Sequence, residues 1–248
     1  MDEISDKLAE RRWSLLFPIL GFLAGIILSG IGLSFAKALF PHSISRANGS
    51  IAVPSEVGSF IGLWLGFLGS VVLSSRIVGT KNIIKDFGFK VKVATDLPIG
   101  LFVGLASQVV FGWLIYYPFE RLDKSLSTSL SKPANQLAGG VHGIDAVIIA
   151  IFLTIFAPIV EELFFRGLLL NSFQTIFKNV KRFELSYSAI FTGVFFGLAH
   201  GEWLQLPGLV LFGILLSAMK LKTKRLGMSI FAHISFNAVS VYFLMVQR

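Results

Sequence analysis

The chain has 248 residues, 54% of them apolar and only 15% charged, and its mean hydropathy of +0.76 lies outside the range of soluble globular proteins, so it is read as an integral membrane protein. Cysteine is absent, which excludes a disulfide framework, a thiolate nucleophile and a cysteine-based metal centre. A net charge of +8 would suit nucleic-acid binding, but the charges are distributed as a membrane topology distributes them, so no nucleic-acid partner is expected.

Residues 1–12 carry charges of both signs and lead into an apolar run from about Trp13 to Ala36. This run is longer than the apolar core of a signal peptide and reads as an uncleaved first span. A second span is expected from about Val57 to Leu73, where Gly62 and Gly66 keep the spacing that lets membrane helices approach closely. The third covers about Leu97 to Tyr117, after which Glu120 to Gly143, rich in Ser, Lys and Gly, reads as a loop. The fourth begins near Ile144, the fifth covers about Leu185 to His200, the sixth about Leu206 to Met219 and the seventh about Met228 to Met245. The fold class expected is therefore an all-α polytopic membrane protein of about seven transmembrane helices, one membrane domain over residues 1–248. At about 20 residues per span, no length is left for a separate soluble domain.

Counted by alternate loops, sixteen Lys and Arg residues fall on the side of the amino terminus and six on the other. The positive-inside rule then places the amino terminus in the cytoplasm, in what is expected to be the plasma membrane. The run Lys220-Leu221-Lys222-Thr223-Lys224-Arg225 is read as part of this signal and as a site of attraction to anionic lipid.

Against this background the stretch Ala157 to Gly167 stands out, because Glu161, Glu162 and Arg166 sit within apolar sequence. A charged group near the bilayer centre costs about 2.5–3.5 kcal/mol on insertion scales, so such groups pair with each other or face a wet cavity. Glu162 and Arg166 are an i,i+4 pair on one helix face and neutralise each other, whereas Glu161 is turned about 100° away and stays free. Glu162 and Arg166 are thus read as structural and Glu161 as the chemical candidate. Two histidines also lie within apolar helices: Phe196 and His200 share one face, as do His233 and Asn237.

A glutamate held partly out of water can act as a general base, with a neighbouring histidine sharing or relaying the proton. A second histidine and an asparagine amide supply donors for an oxyanion on a peptide carbonyl. The same atoms admit a metal reading, since Glu161, His200 and His233 make a zinc triad with water in the fourth position. The absence of a His-Glu-x-x-His helix weakens the zinc reading without removing it.

In these motifs the chain resembles the type II CAAX prenyl endopeptidases and their bacterial relatives, the CAAX protease and bacteriocin-processing family. The family pattern of Glu-Glu-x-x-x-Arg, Phe-x-x-x-His and His-x-x-x-Asn or Asp is matched by Glu161, Glu162 and Arg166, by Phe196 and His200, and by His233 and Asn237. The resemblance covers a catalytic core of about residues 144–241, and earlier residues match only in being hydrophobic. It implies an intramembrane endopeptidase acting on a membrane-associated peptide or protein. In it Glu161 and His200 activate water, His233 and Asn237 form the oxyanion site, and Glu162, Arg166 and Phe196 support them. A metal-independent mechanism is preferred, with zinc as the cofactor of the alternative. Two other functions compete: a non-catalytic scaffold or regulator that keeps the polar cluster for packing, and a small proton-coupled transporter.

One expectation strains the shared site. His200 lies some 15 residues, about 22 Å, beyond the cytoplasmic start of the fifth span, while Glu161 and His233 are placed near the cytoplasmic ends of theirs. Either the fifth helix begins near Lys181, or the fourth span runs deeper than drawn.

Overall fold

The computed structural model describes residues 13–41, 52–138 and 140–246. Its elements are α1 (Leu16–Leu39), α2 (Val53–Ile77), α3 (Ile83–Phe87), α4 (Val93–Glu120), α5 (Ser125–Ala138), α6 (Gly143–Val180), α7 (Glu184–Ala199), α8 (Leu206–Thr223) and α9 (Gly227–Val246), with no strand among the described residues. Helices α1, α2, α4, α6 and α8 are long and apolar enough to cross a membrane, and α7 and α9 are shorter apolar helices at the places of the fifth and seventh expected spans. The expectations placed on residues 1–12 lie outside the described residues.

Two connections read as loops contain helices. Ser125–Ala138 is helical, started by Asp123, whose carboxylate accepts from the backbone N–H of Ser125 at 2.9 Å and from its hydroxyl at 2.7 Å. The hydroxyl and then the backbone N–H of Ser125 hold the Asp123 carboxyl below its usual range. In the second connection, α3 is bounded by Asn82, whose side chain accepts from Lys85 N–H, and by Gly88 at φ 67°, the left-handed stop that glycine adopts without strain. It presses Phe87, fully buried, against Gly167 of α6 and Trp13.

Helices α1 and α2 pack closely along their lengths, as the glycine spacing predicts. A Cβ on Gly62 would overlap the carbonyl of Leu28, and one on Gly66 would overlap the backbone of Gly25. Ser29 and Ser59 add a hydroxyl pair at 2.6 Å between the helices.

Prolines shape the two longest helices in the same way. In α4 the turn Gly112–Tyr116 widens to π geometry two residues before Pro118, and in α6 the turn Phe152–Phe156 does so two residues before Pro158. A proline has no N–H and its ring clashes with the carbonyl four residues back, so the chain relieves the clash by a wider turn. A second π stretch in α6, Glu162–Leu169, begins at the paired glutamates, the kind of wide turn often found at functional sites.

Helix α6 continues through a 3-10 turn, Lys178–Phe183, into α7, and the two form an antiparallel hairpin held by aromatic rings. Phe177 meets Tyr187 and Phe191, Phe173 meets Phe191 and Phe195, and Phe165 meets Phe196. Glu161 stands one turn before Phe165 on α6, and His200 one turn after Phe196 at the end of α7. The fourth span runs further than expected, so Glu161 lies mid-way along a helix that extends to Val180, not near its end.

The start of α9 is fixed from the opposite side. Asp96 of α4, fully buried, accepts from Arg225 Nε at 2.8 Å and Nη2 at 2.6 Å, and Leu226 and Gly227 N–H groups donate to the carbonyls of Gly88 and Lys90. Arg225, read from the sequence as part of the basic run that signals topology and attracts anionic lipid, is in addition the partly exposed ion-pair partner of Asp96.

Candidate active site

Glu162 and Arg166 are both wholly buried and joined at 2.8 Å. Arg166 also donates from Nη2 to the carbonyl of Gly213 in α8 at 3.1 Å, and its guanidinium lies over the ring of Phe196 at 4.2 Å from the centroid. A cation desolvated over an aromatic face gains of order 2 kcal/mol, so Phe196 is part of the compensation for burying the charge. Arg166 Nε and Glu162 Oε2 are left without hydrogen-bond partners among the described residues.

The second acceptance at Glu162 comes from α9. His233, 2% exposed, places Nδ1 at 3.1 Å from Glu162 Oε1, so a carboxylate that accepts fixes Nδ1–H as the donor. The opposite ring nitrogen, Nε2, lies 3.8 Å from Oε2 of Glu161. The angular separation expected between the two glutamates is therefore bridged: one imidazole faces both. Glu161 remains distinct, because its side chain is 19% exposed and neither of its oxygens has a hydrogen-bond partner among the described residues.

His200 is the C-cap residue of α7. Its Nδ1 lies 2.7 Å from the Phe196 carbonyl, which can only accept, so Nδ1 carries the hydrogen and Nε2 of the neutral ring is left as a lone-pair acceptor. The ring of Phe196 packs edge-on against both imidazoles, at 4.7 Å from His200 and 5.5 Å from His233. Among the described residues, no group of three or more His, Asp or Glu side chains is arranged to hold a metal ion. Nδ1 of each histidine is bonded, to the Phe196 carbonyl and to Glu162, which leaves Nε2 of each ring as the nitrogen that can meet a proton or a metal.

Asn237 of α9 donates from Nδ2 to the carbonyl of Leu153 at 2.9 Å. The reason lies in α6: the Ala157 N–H bonds Phe152, and the next donor along the helix would be Pro158, which has none. Asn237 fills the vacancy that proline leaves, using one of its two amide hydrogens and tying α9 to α6 one turn from His233.

The sequence reading missed two contributors on α8. Phe212 packs edge-on against His233 at 5.7 Å, and Gly213 supplies the carbonyl that holds Arg166. Nothing in their local sequence distinguishes them from other apolar positions of a span.

Comparison with known proteins covers the segment that carries these residues. Residues 143–239, which contain all three motifs, match the family model "Type II CAAX prenyl endopeptidase Rce1-like". A curated relative from Bacillus subtilis (strain 168), named "Putative membrane peptidase YdiL", is 26% identical over 188 residues, covering 73% of this chain and 70% of its own. No solved structure matches the chain significantly. Over residues 143–239 the chain is thus similar to the Rce1-like family of type II CAAX prenyl endopeptidases.

Proposed function

We propose that the protein is an intramembrane endopeptidase that cuts a membrane-associated peptide or protein with water activated by Glu161 and His200, without a metal ion. The observation that carries this reading is the contrast between adjacent carboxylates. Glu162 is fully buried and doubly bonded, while Glu161 keeps an unpartnered, partly accessible carboxylate against His233. Packing would give both the same treatment.

In this mechanism Glu161 and the free Nε2 of His200 accept the two hydrogens of a water molecule, whose oxygen attacks the peptide carbonyl. The proton taken by Glu161 is shared with Nε2 of His233. There, with the second N–H of Asn237, it meets the oxyanion before passing to the leaving amine as the C–N bond breaks. His233 is held for this by Glu162, and Glu162 by Arg166. The roles implied by family resemblance are thus kept for Glu161 and His200. For His233 and Asn237 they are extended, since each also makes a fixed bond that orients it.

The Lys and Arg distribution supports an orientation with the turn Thr223–Gly227 on the cytoplasmic side of a plasma membrane and the opposite ends of α4 and α9 outside. The test is a comparison of peptide termini in membranes and medium from cells carrying the wild-type chain or Glu161→Gln at matched abundance. Termini that vanish in the variant establish proteolysis and identify substrates. An unchanged set of termini would leave the scaffold reading in its place.

A further inference from the structure

We propose that a cavity of about 720 Å³, lined by the ends of α4 and α9, by α5 and by the start of α8, binds a polar, basic stretch of the substrate polypeptide beside the bond that is cut. The proposal rests on the protease reading and adds a substrate feature to it.

The cavity gathers polar side chains among aromatic and aliphatic ones, in a place where polarity is costly. Gln108, Tyr116, Ser131, Gln205 and Ser240 line it from three helices and the turn ahead of α8, in a domain whose other surfaces are largely apolar. Its volume falls in the range of pockets that bury a small ligand or a short length of peptide. An extended peptide brings a backbone N–H and C=O at each residue, and within a membrane these need partners in the protein. The cavity supplies them. Gln108 commits its amide nitrogen to Ser240, and Gln205 commits its own to the Leu130 carbonyl at 2.7 Å, so each leaves an amide oxygen uncommitted among the described residues. Tyr116 donates to the Gln205 carbonyl at 2.9 Å and accepts from Gly208 N–H at 3.1 Å, which fixes the wall on which α5 rests.

Charge and position narrow the ligand. Glu120 is the one charged side chain among the described lining residues, and it favours a lysine or arginine. Phe236 and Ser240 of the lining lie on α9, three and seven residues past His233, so the cavity opens about 4.5–10 Å along the helix from the imidazole. Gln205 lies five residues past His200 on the connection that follows α7. Both histidine-bearing segments therefore continue into its walls.

The experiment uses the full chain in lipid nanodiscs with the photoreactive residue p-benzoylphenylalanine replacing Phe243, in the cavity, or Leu23, on the exposed face of α1. The probe is a mixture of short random-sequence peptides; cross-linked and cleaved peptides are both sequenced. The expected result is capture at Phe243 about tenfold above Leu23, enriched in Lys and Arg, with the enrichment lost in Glu120→Gln. If Glu120→Gln fails to insert, Ser131→Lys supplies the same test by repulsion. Equal capture at both positions, or capture at Phe243 without basic enrichment, overturns the proposal. Cleavage without capture at Phe243 overturns it while sparing the protease reading. Capture without any cleavage sustains the peptide site and removes the protease reading instead.

Discussion

His233 Nδ1 stands 3.1 Å from Glu162 Oε1, and this one bond connects the buried ion pair to the side of the site where Glu161 lies. On one side of it Glu162 is locked to Arg166, and on the other Nε2 of His233 is aimed at Glu161. Moving either glutamate would turn the imidazole away from the other.

Arg166→Ala removes the guanidinium that pairs with the wholly buried Glu162 carboxylate at 2.8 Å. Breaking a buried pair from one side costs about 3–5 kcal/mol, so the variant should show reduced abundance and a much lower unfolding temperature in nanodiscs. Stability equal to wild type would contradict the structural role of the pair.

Asn237→Ala strands the Leu153 carbonyl and should destabilise by about 1–3 kcal/mol. Pro158→Ala restores the missing N–H, so the double variant should lose less than the sum of the single ones. Strict additivity in a double-mutant cycle would show that Asn237 is not compensating for the proline.

Gly62→Val drives a branched side chain into the Leu28 carbonyl of the facing helix. Overpacking of this kind costs about 1–3 kcal/mol, read as a lower unfolding temperature. Gly69→Ala has open space around its Cβ and serves as the neutral control; an equal loss in both variants would argue against close packing of α1 on α2.

Much of this was legible in the sequence because membrane helices write their presence in long apolar runs and their site in the few polar residues those runs contain. The pairing of Glu162 with Arg166 followed from helical spacing alone, and the structure shows it at 2.8 Å. The geometry around Glu161 was harder to read. A rotation of about 100° separates neighbours on one helix, but it says nothing of a third residue on α9 long enough to reach both. The length of α6 was also hidden, since polar residues after Arg166 resemble the end of a span, while the hairpin with α7 is set by ring contacts such as Phe173 with Phe191. Helix α5 was missed because its serines favour loops in isolation, and its start depends on a single capping carboxylate at Asp123.

The central claim is that adjacent glutamates divide the work, Glu162 holding the site together and Glu161 carrying out the chemistry. It is tested most directly by purifying Glu161→Gln and measuring its unfolding temperature together with its cleavage of a substrate found from the lost termini. Because Glu161 has no hydrogen-bond partner among the described residues, the amide should leave the unfolding temperature unchanged while product formation disappears. Product formation at the wild-type rate by a fully folded Glu161→Gln protein would contradict the account.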